Sequence, residues 1–226
     1  MDYVEELYQN NKLLLRAMDL PVPRKNNVPS YFDCESWINE FVFAMREGLY
    51  SLSTTLIVPS IGVRDYKSIG FIINSDKADC YHIAKTDSVS SGNVKNGDFQ
   101  ANKSDFDTID ELATYIKNNK ATDMNEVNIN VKLDGIVGLF INKCLRIEKL
   151  LKRIYVVKIM LREITGIDYP IYIYDLDIGS LNKVELSIQD EEELINSLEC
   201  DKVLFWPDTS STPSYIDLSP SKKVIR

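Results

Sequence analysis

The chain has 226 residues, 44% of them apolar, with 9 Gly, 8 Pro, 34 acidic and 26 basic side chains for a formal net charge of −8. This length and composition allow a real hydrophobic core and exclude fibrous and disordered classes. The acidic balance works against nonspecific attraction to phosphate backbones, so nucleic acid is an unlikely partner on charge.

Cys34, Cys80, Cys144 and Cys200 are scattered without CxxC or CxH spacing, which suggests four reduced thiols, with neither a disulfide framework nor a metal site. The acidic start Met1-Asp2-Tyr3-Val4-Glu5-Glu6 lacks the basic and apolar regions of a secretory signal, and no apolar run nears the roughly 20 residues of a membrane span. The expectation is a soluble protein made in the cytoplasm, or one exported into a host cell without a cleaved signal.

In chain order, residues 2–11 read as a short helix and Lys12-Leu13-Leu14-Leu15-Arg16 as a strand ending in a base. Leu20-Pro21-Val22-Pro23 interrupts regular structure, because proline removes a donor and restricts its neighbour. Asp33 is placed to cap a helix over residues 34–46, closed by Gly48. Residues 49–58 form a β-branched and aromatic strand ended by Pro59, and a helical turn follows at residues 63–66. The apolar run at 69–73 predicts a strand buried on both faces. Residues 74–104 carry Ser-Gly and Asn-Gly turn chemistry and read as a long functional loop rather than core.

Asp107 is the expected cap of a helix through Ile109, Leu112, Ala113 and Ile116. After Glu126 the side chains alternate strictly, with Val127, Ile129, Val131 and Leu133 apolar against Asn128, Asn130 and Lys132. That is the period of a strand with one buried face, with Glu126 at its mouth on the polar side. Leu133-Asp134-Gly135 reads as a hairpin turn into a strand at 136–141. Residues 145–164 give the longest helical pattern, apolar on several faces and so packed on more than one side. Strands are expected at 169–174 and 184–188, an acidic-capped helix at 190–198, a short strand at 203–206 and a loose tail from about 207.

Several clusters suggest chemistry. Cys80-Tyr81-His82 places a thiol and an imidazole two apart on what would be one strand face, although no orienting partner is evident. Asp175 and Asp177 read as turn acids and Glu191-Glu192-Glu193 as a helix cap rather than as metal ligands. Gly92, Gly97 and Gly135 are isolated, so no Gly-rich phosphate loop is present.

The order of three motifs carries more. Arg16 closes the first strand, Leu52-Ser53-Thr54-Thr55 puts a hydroxyl triplet on a following strand, and Asn125-Glu126-Val127 opens a later one. Over roughly residues 10–141 this resembles the mono-ADP-ribosyltransferase family, in its Arg, Ser-Thr-Ser, Glu branch typified by cholera-toxin-like enzymes. The resemblance implies an α+β fold: an ADP-ribosyltransferase-like mixed β-sheet core with flanking helices and a C-terminal α/β extension. It divides the chain into an NAD-binding domain at 1–142 and an extension at 143–226, assigned from position to target recognition.

The implied activity is transfer of ADP-ribose from NAD to a macromolecular target, most plausibly a protein, by a bacterial effector, toxin or phage protein. Arg16 would bind the cofactor, with Arg24 as a nearby substitute; Ser53, Thr54 and Thr55 would shape its cleft, and Glu126 would be catalytic. The residue types suit that chemistry. A guanidinium is a rigid, permanently charged fork for phosphates. Small hydroxyls let a flat cofactor lie close to the backbone. A carboxylate beside the ribose 2′-hydroxyl stabilises the oxocarbenium-like charge that develops as nicotinamide leaves. Met124 departs from the pattern, because the family has Glu or Gln two residues before the catalytic Glu. The acceptor is therefore open, as are a bare NAD glycohydrolase, with water as acceptor, and an inactive relative. The competing reading from charge alone is an acidic inhibitor or immunity-type protein that binds a basic partner.

Overall fold

The computed structural model describes residues 2–17, 50–63, 69–86, 94–95, 98–99, 104–143, 147–197, 202–205 and 214–217. The expected helix at 34–46, the turn at 64–66, Arg24, Cys34, Cys144 and Cys200 lie outside the described residues.

The fold is α+β. Helix α1 (Tyr3–Gln9) is capped by Asp2, whose side chain accepts from the Glu5 amide. Strands β1 (Leu13–Ala17), β2 (Tyr50–Leu56) and β3 (Ile69–Asn74) follow, and β3 is buried along its whole length as its apolar run predicts. Next come β4 (Ala78–Ala84), the short pair β5 (Val94–Lys95) and β6 (Asp98–Phe99), α2 (Ile109–Asn119), β7 (Glu126–Val131) and β8 (Ile136–Asn142). The chain continues through α3 (Ile147–Thr165), β9 (Ile171–Asp175), β10 (Ser180–Lys183), α4 (Ile188–Asn196), β11 (Lys202–Phe205) and β12 (Ser214–Asp217).

Among the described residues, eight strands form one mixed sheet in the order β10-β9-β8-β3-β1-β2-β7-β4, in which β8 and β9 run parallel and the other neighbours antiparallel. The sheet separates two apolar clusters. The larger gathers Leu14, Leu52, Phe71, Ile129 and Leu139 with the buried faces of α2 and α3; the smaller gathers Leu13, Leu15, Ile72 and Phe140 with α1. Alternating residues of β1 thus feed opposite clusters, so this strand is central in both senses.

Strand β4 corrects the reading of residues 74–104 as wholly irregular. Its pattern was hidden because a β-bulge between Cys80 and His82 breaks the period of two, and its inward residues Ala78 and Cys80 are small. The turn at Leu133–Gly135 is a single 310 turn and not a hairpin, since β7 pairs with β2 and β4 while β8 pairs with β3 and β9. Helix α2 is capped by Thr108 rather than Asp107: the Thr108 hydroxyl accepts the Glu111 amide at 3.2 Å. The strand expected at 184–188 lies earlier, at β10, and α4 begins at Ile188 through a capping box of Ser187 and Asp190. Within the stretch read as a tail, β12 pairs antiparallel with β11.

Chain connections force the sheet to curl. Strands β3 and β4 are four positions apart in the strand order, about 19 Å in a flat sheet. Yet Asn74 and Ala78 are joined by four Cα steps, which reach about 15 Å at most. The half containing β7 and β4 must therefore fold toward the half containing β3 and β8. The two tight turns meet where it does, since a Cβ built on Gly135 would lie 3.6 Å from that of Lys77. Val127, Ile129 and Val131 from one half pack in the same cluster as Leu139 and Ile141 from the other.

The sheet also runs across residue 142. Strand β9 extends it from β8, and Ile154, Val157 and Leu161 of α3 are buried in the larger cluster. A chain ending at Asn142 would lose both, exposing the β8 edge and much of the core. We expect it to be insoluble or to unfold without a cooperative thermal transition by circular dichroism, while the full chain melts cooperatively.

Candidate functional site

The three motif residues meet where the sheet parts. Strand β1 pairs with β2 only through Leu14↔Leu56 and Leu15↔Thr55, after which β1 stays with β3 as far as Ala17↔Gly70, and β2 stays with β7 as far as Tyr50↔Val131. Close approach of β3 holds β1 on its side of the parting: a Cβ on Gly70 would sit 2.0 Å from the Arg16 carbonyl oxygen and 2.6 Å from the Phe140 ring. Arg16 is the first residue beyond the shared ladder. Its Nη1 donates to the Ser53 carbonyl at 2.8 Å, bridging the strands where their backbone pairing has stopped.

Ser53 then passes the connection on. Its hydroxyl donates to Glu126 Oε1 at 3.0 Å. Register explains the contact: Ser53 stands opposite Asn128 and Thr54 opposite Val127, so Glu126 is the diagonal neighbour of Ser53 on one face. The first residue of a strand has presented a carboxylate on its polar side, as the alternation at 126–133 predicts. Glu126 is nevertheless buried, with 6% exposure, while Ser53 and Arg16 are half-buried. Ser53 thus contacts both others, Arg16 through its backbone carbonyl and Glu126 through its hydroxyl, while by strand alternation Arg16, opposite Phe71 of the larger cluster, leaves β1 on the face opposite the one that carries Glu126.

Thr54 and Thr55 have a different place. Both are buried, and their hydroxyls donate to the backbone carbonyls of Val127 at 2.6 Å and Asn125 at 3.0 Å. Within the triplet, the Ser53 side chain faces Glu126 while the two threonines fasten β2 to the start of β7. Asn125 completes that fastening and was not singled out from sequence. It is 3% exposed; its Oδ1 accepts the Leu56 amide at 2.9 Å and its Nδ2 donates to the Leu56 carbonyl at 3.0 Å. The side chain thereby imitates one more rung of the ladder beyond Thr54↔Val127. An Asn directly before a strand that opens with Glu was the available signal. Met124 lies partly buried against the smaller cluster, so its thioether packs rather than faces solvent.

Other candidates are dispersed. Cys80 stands opposite Ile129, but His82 stands opposite Asn128, so the bulge puts thiol and imidazole on opposite faces and removes the Cys/His pair. Burial, aided by Asp79, pushes the Cys80 thiol up to about 11, well away from the thiolate a nucleophile needs. Asp175 accepts from Lys143 Nζ at 2.7 Å and from the Asp177 and Ile178 amides, which is the work of a turn acid. Glu191, Glu192 and Glu193 lie on α4, away from any strand opening. Among the described residues, no group of three or more His, Cys, Asp or Glu could hold a metal ion, and no helix is long and apolar enough to cross a membrane. A surface depression lined by Phe106, Asp110, Glu111 and Thr114 shares no lining residue with the Arg16 chain.

No protein-family model and no curated protein sequence matches this chain.

The Asn125 clamp yields a direct test. Asn125→Ala leaves the Leu56 amide and carbonyl without their partner in a buried setting, at about 1–3 kcal/mol for each unsatisfied group. Denaturant unfolding should show a loss of about 2–4 kcal/mol, whereas Asn130→Ala, on the half-buried polar face of β7, should change stability by less than about 1 kcal/mol.

Proposed function

We propose that the protein is a mono-ADP-ribosyltransferase with an ADP-ribosyltransferase-like core, which cleaves NAD at the nicotinamide ribose and passes ADP-ribose to a macromolecular acceptor. The observation that carries this reading is the double contact at Ser53, whose carbonyl accepts from Arg16 and whose hydroxyl donates to Glu126, 37 and 73 residues away along the chain.

The residues suit the reaction. A guanidinium at the parting of two strands supplies fixed positive charge for a pyrophosphate. The hydroxyl of Ser53 orients the Glu126 carboxylate through a hydrogen bond. Loss of nicotinamide leaves positive charge on the ribose, and a carboxylate held in a low-dielectric setting opposes that charge without having to reorganise. Burial of Glu126 strengthens the effect, since the carboxylate is shielded from bulk water.

The test is release of nicotinamide from NAD, and transfer of labelled ADP-ribose into a host-cell lysate. Glu126→Gln keeps the shape and should lower release at least 100-fold while NAD binding changes little. Arg16→Lys keeps the charge but loses the fork, and should raise the NAD dissociation constant about 10-fold or more. If the wild-type chain neither binds NAD nor releases nicotinamide, the proposal is wrong. An acidic inhibitor acting through its charge of −8 would instead bind a basic partner, weaken steeply with salt and tolerate Glu126→Gln.

A further inference from the structure

The bulge in β4 turns a second proton-handling side chain onto the face that carries Glu126. Cys80 stands opposite Ile129 and His82 opposite Asn128, the next residue on β7, so Tyr81 is the inserted residue. Faces alternate along β7, and His82 therefore shares a face with Asn128, Glu126 and, across the other ladder, Ser53. Tyr81 is on this face too: its hydroxyl lies 2.5 Å from Ser51 Oγ, so its side chain reaches from β4 over β7 to β2. Bulges of this kind commonly re-aim side chains beside functional sites.

Glu126 leans toward β2, where Ser53 donates to it, while His82 stands on the opposite flank of β7. Diagonal cross-strand neighbours have Cβ atoms about 7–8 Å apart. In inverting sugar hydrolysis, two carboxyl groups about 6.5–9.5 Å apart leave room for a water to attack the sugar carbon between them. The ring is also oriented. Its Nδ1 is 3.5 Å from Ser104 Oγ, which accepts the Ile83 amide at 3.2 Å; the adjacent Asp105 amide donates to the Ile83 carbonyl at 2.8 Å. Segment 104–105 thus runs along β4 and occupies Nδ1. In the tautomer in which Nδ1 donates to Ser104 Oγ, the lone pair is on Nε2. The two residues before Glu126 offer no base, because Met124 is a packed thioether and the Asn125 amide is held by Leu56.

We propose that His82 is the base that deprotonates the acceptor in the NAD-cleaving reaction, an inference that rests on the transferase reading above. The acceptor is then a neutral O–H, N–H or S–H nucleophile, water included. As its lone pair forms the bond to the ribose C1′, the bond from C1′ to the pyridinium nitrogen breaks and its electron pair leaves with neutral nicotinamide. The acceptor proton passes to His82 Nε2, and Glu126 opposes the ribose charge throughout.

The experiment uses the full chain and NAD, with water as the acceptor, and follows nicotinamide release. His82→Asn should lower kcat about 100-fold with KM for NAD unchanged. His82→Ala should fall likewise and recover at least 10-fold on addition of free imidazole, a recovery that a structural role would not give. Release that depends on Glu126 but is indifferent to His82→Asn, or His82→Ala that imidazole does not rescue, overturns the assignment of His82 and leaves the transferase reading standing. A wild-type chain that releases no nicotinamide overturns both.

Discussion

The early end of the ladder between β1 and β2 is the constraint on which the site depends. Two paired residues join these strands before each commits to its other neighbour, and the sheet opens between Arg16 and Ser53. Where the two strands no longer pair with each other, the Arg16 guanidinium donates to the Ser53 carbonyl. The same residue that closes the gap electrically also puts a fixed positive charge in it. A continued ladder would have satisfied the Ser53 carbonyl with a backbone amide and left no reason for Arg16 to reach there.

Around the parting, side chains divide between frame and display. Thr54, Thr55 and Asn125 are buried and spend their hydrogen bonds on the backbone of β2 and of the segment entering β7. That frame fixes where β7 begins, and so fixes the Glu126 carboxylate as the diagonal neighbour of Ser53. Such buried polar networks are worth having only when fully satisfied, because a missing partner in a low-dielectric setting costs more than a made bond gains. On the open face the residues are polar or aromatic and partly exposed: Ser51, Ser53, Asn128, Tyr81 and His82. A rigid frame carrying an accessible polar face is the arrangement that recognition of a charged ligand favours.

Curling of the sheet links this local geometry to the whole. The short connections from β3 to β4 and from β7 to β8 make the two halves approach, and one apolar cluster fills the space between them. Strand β4 is thereby carried to the edge next to β7, where its bulge can turn His82 toward Asn128. Helix α3 and strand β9 extend the same sheet and core beyond residue 142. The segment after residue 142 thus has a share in holding the fold.

Period and residue type were enough to read much of this from sequence. Strict alternation after Glu126 gave β7 and the side on which its first carboxylate stands, and the continuous apolar run at 69–73 gave a strand buried on both faces, because these patterns follow from strand geometry alone. The convergence of Arg16, Ser53 and Glu126 was expected only through family resemblance; no local rule ties residue 16 to residue 126. Hydroxyls of one triplet look alike in sequence, and tertiary register alone separated Ser53, which meets the carboxylate, from Thr54 and Thr55, which meet the backbone. The bulge at Tyr81 was likewise illegible, since one inserted residue reverses every face after it and depends on pairing with a strand more than forty residues away. Sequence determined which residues could form strands and which side chains could do chemistry; tertiary structure decided where β1 leaves β2, and that decision depends on contacts with β3 and β7 that no local stretch contains.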